Sequence, residues 1–195
     1  SQLKIHGAAH HGSLLADAFA MPVHWYYNRD ALDRDYPDLT TFLAPLPHHP
    51  DSILWRSQYD PVNEQADILH DQARFWGQRD IHYHQNLLAG ENTVNFQLAR
   101  ALHEQVKSHG SYDPTRWAEL YLQLMRTPDW HRDTYVEEYH RAFFNRYASG
   151  KKILKCGISD EHIGGLATVT SLLAALPEGD HRQTAKDHVT LTHRH

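Results

Sequence analysis

Residues 89–110 read AGENTVNFQLARALHEQVKSHG. Ala89 and Gly90 permit a turn, and Asn92 and Thr93 are both residue types that cap a helix start. Val94, Leu98, Leu102 and Val106 then recur every fourth residue, the spacing that lines one face of an α-helix. His109 and Gly110 close the run, because glycine tolerates the left-handed turn just past a helix end. The pattern predicts a helix over 92–108. Its start is over-furnished. Glu91, Asn92 and Thr93 set a carboxylate, an amide and a hydroxyl side by side where one cap would serve. They are either a redundant cap or oxygen ligands aimed at a cation.

The same periodicity recurs on both sides of this stretch. Leu14, Leu15, Ala18 and Phe19 predict a helix over 12–21, stopped by Pro22. Residues 36–60, with Pro37, Pro45, Pro47 and Pro50, read as an irregular loop. Asp60–Pro61 looks like a cap and first-turn pair opening a helix to about Trp76. Asp113–Pro114 opens a helix with Trp117, Leu120, Tyr121 and Leu124 on one face. Asp133 opens another, with Val136, Tyr139, Phe143 and Tyr147 in step. Residues 164–176 are apolar nearly all round, so that helix is expected to be buried. A weaker helix follows over 181–191. No useful alternating run predicts a strand, and the expected class is all-α, a compact helical bundle in a single domain over residues 1–195.

Composition narrows the function classes. Of 195 residues 41 % are apolar and 22 % charged, and the formal charge is −5, so no basic surface points to nucleic acid. The single cysteine, Cys156, suits a reducing compartment, and the cytoplasm is the expected location. The apolar run at 14–23 is short and broken by Asp17, so no membrane span is expected. Eighteen histidines stand out, and most of them read as a solvated, pH-sensitive surface. His10–His11, His48–His49 and His82-x-His84 carry only weak metal-ligand spacing.

One further loop has chemistry. Residues 155–165, KCGISDEHIGG, feed the most apolar helix, and Gly164 and Gly165 leave backbone N–H groups free at its start, where anions such as phosphates bind.

Four motifs in order resemble the ADP-ribosylglycohydrolase / J1-crystallin family. Its first motif, G-x-x-x-G-D-A-x-G-x-P-x-E, is similar to residues 12–24, with Gly12, Asp17, Ala18 and Pro22 in register. His24-Trp25-Tyr26-Tyr27-Asn28 is similar to the text that follows it in the crystallin branch. The T-D-D-T motif falls on Gly90-Glu91-Asn92-Thr93, the glycine-rich loop on 156–166, and a Thr-His pair on Thr192-His193. The resemblance spans nearly the whole chain and implies the family's orthogonal helical bundle.

The resemblance also implies an activity, the magnesium-dependent hydrolysis of ADP-ribosyl or related N- or O-glycosidic bonds. One or two magnesium ions would be held by Glu91, Asn92 and Thr93. Gly157, Ser159, His162, Gly164, Gly165 and His193 would bind an ADP-ribose-type ligand or ADP-ribosylated substrate. Asp160, Glu161 or His24 would act as acid or base. Asp17, inside an apolar helix, would be a structural hydrogen-bonding residue beneath the site.

The sequence departs from the family pattern at several points. Asn92 replaces an aspartate, and His24 stands where the first motif ends in glutamate. His162-Ile163 lies where the family has Met-Arg, and no Asp-Thr-Asp follows, so the domain is expected to be incomplete at its C-terminus. These departures leave a metal-dependent hydrolase, a weakened nucleotide-binding module and a crystallin-like structural protein as the candidate functions.

Overall fold

The computed structural model describes residues 2–157, 168–176 and 181–193. The protein is 56 % helical, with no strand among the described residues. Seven α-helices are seen there: α1 (Gln2–Ala20), α2 (Arg29–Asp35), α3 (Val94–His109), α4 (Pro114–Arg126), α5 (Glu138–Ala148), α6 (Val169–Ala175) and α7 (His181–Thr192).

Helix α1 starts ten residues earlier than its apolar spacing predicts, and Pro22 tightens its exit into a 3-10 turn at Met21–Val23. Helix α2, which no sequence signal singled out, is capped by Asn28, whose Oδ1 accepts from Ala31 N at 3.1 Å. Helix α3 runs as predicted and ends at Gly110, which takes φ +73°. Helix α4 follows its predicted cap closely. Asp113 Oδ1 accepts from the amides of Thr115 and Arg116, and Pro114 sits in the first turn where no N–H is needed.

The predicted helix over 61–76 does not form. Two 3-10 turns, Glu64–Ala66 and His70–Phe75, stand there instead. The reason is local competition for amides. Tyr59 Oη accepts from Ile68 N and Leu69 N, and Asp67 Oδ1 accepts from His70 N at 3.1 Å. The predicted start at Asp133 is also displaced: α5 begins at Glu138, because the Asp133 carboxylate is engaged elsewhere.

Helix α6 packs against α1 and α3, and α7 packs against α4, α5 and α6. Between them lies a core that includes Leu98, Leu102, Val106, Trp117, Tyr121, Met125, Phe143, Phe144, Leu172 and Leu191. Leu102, Val106 and Phe143 are fully buried, each contributing about 2 kcal/mol relative to exposure. This helical block fixes the start of α3. The groups brought to it come from α1, from residues 36–91 and from the segment between α4 and α5.

Candidate functional site at the start of helix α3

Two carboxylates from distant segments meet the first turn of α3. Asp17, from within α1, accepts Thr93 N and Thr93 Oγ1, both at 2.9 Å, and Asn92 Nδ2 at 3.0 Å. Asp133 Oδ2 accepts the next amide, Val94 N, at 2.5 Å. The exposed N–H groups of a helix start favour negative charge there. Burial still pushes the Asp17 carboxyl up, against the hydrogen bonds from Asn92 and Thr93.

The crowded start of α3 is thus neither a side-chain cap nor a cluster aimed at a common point. Thr93 makes no capping bond of its own. The side chains of Asn92 and Thr93 turn back onto Asp17. Asn92 Oδ1 accepts from Arg100 Nη2 at 2.6 Å. Glu91 pairs with Arg132 and accepts from Leu88 N at 3.2 Å. A magnesium ion needs several free oxygen ligands. Here two of the three side chains carry a guanidinium and the third is spent on a carboxylate, so this donor set does not fit the metal as folded.

The second half of the site is a chain of side chains. Asp133 Oδ1 is hydrogen-bonded to His84 Nδ1, and His84 Nε2 lies 3.0 Å from His24 Nδ1. Asp133 and His84 are buried, while His24 is half-buried. Burial above all holds the His24 ring down to about 4, so it is neutral at neutral pH. Among the described residues nothing hydrogen-bonds His24 Nε2. Trp25, next to it, adopts φ +58°, an uncommon conformation for a bulky residue. Its partly exposed ring packs against Tyr83 with centroids 4.8 Å apart.

Three more histidines hold this chain in place, each in the same way. His131 Nδ1 accepts from Asp133 N, His82 Nδ1 from His84 N, and His49 Nδ1 from Asp51 N. The Nε2–H groups then donate to remote carbonyls: His131 to Ile68, His82 to Pro22, and His49 to His24. With both nitrogens bonded the ring must be neutral. Burial lowers all three, His82 to about 3. The sequence carried a signal for them in the recurring triplet His49-Pro-Asp51, His82-Tyr-His84 and His131-Arg-Asp133. The expectation of a mostly solvated histidine surface is corrected accordingly. His10, His49, His82, His84, His131, His140, His188 and His193 are all buried.

The other predicted site residues lie apart from this chain. Gly157 meets the end of α7. A Cβ there would stand 2.6 Å from Leu191 O, and its own carbonyl accepts from Arg146 Nη1. His193 is buried with its ring 4.5 Å from that of Tyr139, and its Nδ1 is 2.8 Å from Thr192 Oγ1. Ser159, Asp160, Glu161, His162, Gly164 and Gly165 lie outside the described residues. Sequence reasoning missed His84 and Asp133 as parts of a site, since they are 49 residues apart and meet only in space.

Comparison with models of known families, with curated proteins and with solved structures returned no match. Among the described residues, no helix is long and apolar enough to cross a membrane.

Proposed function

We propose that the protein is a hydrolase of the ADP-ribosylglycohydrolase kind, acting on ADP-ribosyl or related N- or O-glycosidic bonds. The observation that carries this reading is the meeting of two motif stretches. Asp17 of the first bonds Asn92 and Thr93 of the second across 75 and 76 positions of sequence. His24, which ends the first motif, stands at the open end of a carboxylate-backed imidazole pair in the same place. The His24 imidazole is neutral at neutral pH and offers a lone pair to a proton, although at about 4 it is a weaker base than a free histidine. Magnesium has no part in this reading, because Arg100 and Arg132 engage Asn92 and Glu91. The single cysteine, Cys156, supports the cytoplasm as its compartment.

Those same two arginines favour a second reading, a module that binds an ADP-ribose-type ligand without metal and without turnover. Thermal unfolding with ADP-ribose, in magnesium and in EDTA, combined with release of ADP-ribose from an ADP-ribosylated peptide, separates the two. A ligand of the native state raises the melting temperature. Stabilisation with release supports the hydrolase, and stabilisation in EDTA without release supports the binding module. No stabilisation and no release sinks both.

A further inference from the structure

We propose that Asp133, His84 and His24 form a general-base chain whose working atom is His24 Nε2. The bond it attacks rests on the function proposed above; the chain itself does not. The argument begins with proton positions. Asp133 accepts from Val94 N on one oxygen, and its other oxygen accepts the hydrogen bond donated by His84 Nδ1–H. Taken as neutral, His84 has a lone pair on Nε2, which then accepts from His24 Nδ1 at 3.0 Å. The proton of neutral His24 is therefore on Nδ1, and its Nε2 lone pair is unused among the described residues. Each link follows from the one before, because a neutral imidazole has one donor and one acceptor.

His24 is the catalytic residue of this chain; His84 and Asp133 are positioning residues. In hydrolysis a water gives a proton to His24 Nε2, and its oxygen forms the bond to the anomeric carbon. The glycosidic bond breaks with its electron pair going to the leaving group. The His24 imidazolium, its Nδ1–H donating to His84 and backed by the Asp133 carboxylate, then returns the proton to that group. An anion behind an imidazole fixes its tautomer and stabilises its charged form. Trp25 packs beside the His24 ring, with centroids 5.6 Å apart.

The test reads tautomers, not turnover. Nitrogen-15 NMR of the imidazole rings at neutral pH should show His24 protonated at Nδ1 and unprotonated at Nε2. Asp133→Asn retains an oxygen for Val94 N but turns an amide donor toward His84 Nδ1. His84 then carries its proton on Nε2 and donates to His24 Nδ1, so the His24 proton should move to Nε2. His84→Ala, a variant that spares the α3 cap, should likewise end the Nδ1 preference of His24. In any ADP-ribosyl hydrolysis the protein performs, Asp133→Asn should lose about 100-fold in rate. A wild-type His24 protonated at Nε2 overturns the chain, as does a His24 tautomer indifferent to both variants. If the tautomers reverse as described and no ADP-ribosyl substrate is cleaved, the chain stands and the substrate reading alone fails.

Discussion

Imidazoles are buried in two hydrogen-bond networks of this molecule, and the two networks finish them differently. Among α3, α4 and α5, His140 takes a bond from Tyr121 Oη on Nδ1 and donates to Asn95 Oδ1 from Nε2 at 2.7 Å. His188 of α7 is bonded by Tyr112 on one nitrogen and Thr168 on the other. Both rings lack a free nitrogen, and burial drives them to about 3 and about 4. In the other network His49, His82 and His131 are closed in the same manner, but the chain through Asp133 and His84 stops at a nitrogen with no partner among the described residues. Burial alone therefore does not mark a functional histidine. Under the proposal above, the unfinished hydrogen-bond chain at His24 does.

The broadest test of that contrast is mild acid. His24, His82, His140 and His188 sit at about 3 to 4 in the folded protein, below the ordinary value of 6.5 that the unfolded chain has. The unfolded state then binds more protons, so stability rises with pH and is lost as pH falls from 6.5 toward 4. The slope is roughly 1 kcal/mol per histidine per pH unit. Urea unfolding at pH 7.5, 6.5 and 5.5 should show a steep decline already above the carboxylate range. A flat profile would mean that these rings are not held neutral.

A smaller loss tests the floor of the site. Asp17→Ala removes the acceptor for Thr93 N, Thr93 Oγ1 and one Asn92 N–H, leaving buried donors unpaired. The expected cost is about 3 kcal/mol in urea unfolding at pH 7.5. A cost below about 1 kcal/mol would indicate that water replaces the carboxylate readily. The smallest effect sharpens the contrast from the closed side. Tyr121→Phe takes the donor from His140 Nδ1 and should cost about 1 kcal/mol. Because no hydrogen bond among the described residues links His140 to the His24 chain, the His24 nitrogen-15 shifts should not change. A change there would join the two networks into one system.

Some of this was legible along the chain because it is local. Asp113–Pro114 and Gly110 announced a helix start and a helix end, and both stand where their backbone chemistry requires. The role of Asp17 as a buried hydrogen-bonding residue was legible too, since a lone carboxylate in an apolar face must find partners. The helix over 61–76 failed for want of non-local information: Tyr59 and Asp67 take the amides that its pattern assumed free. Asp133 misled because a helix-starting aspartate is read as capping the residues just after it. Instead it caps α3, whose first amide, Val94 N, lies 39 positions earlier.

The sequence by itself determined the class of the protein, an all-helical chain with α3 and α4 in place, because periodicity and capping act within a few residues. Only the tertiary structure decided what the polar residues do. Glu91, Asn92 and Thr93 became partners of Arg132, Arg100 and Asp17, and His84 was set between Asp133 and His24. A hydrogen bond depends on where a second group arrives. For a buried imidazole, that arrival fixes which nitrogen holds the proton and whether the other is left to react.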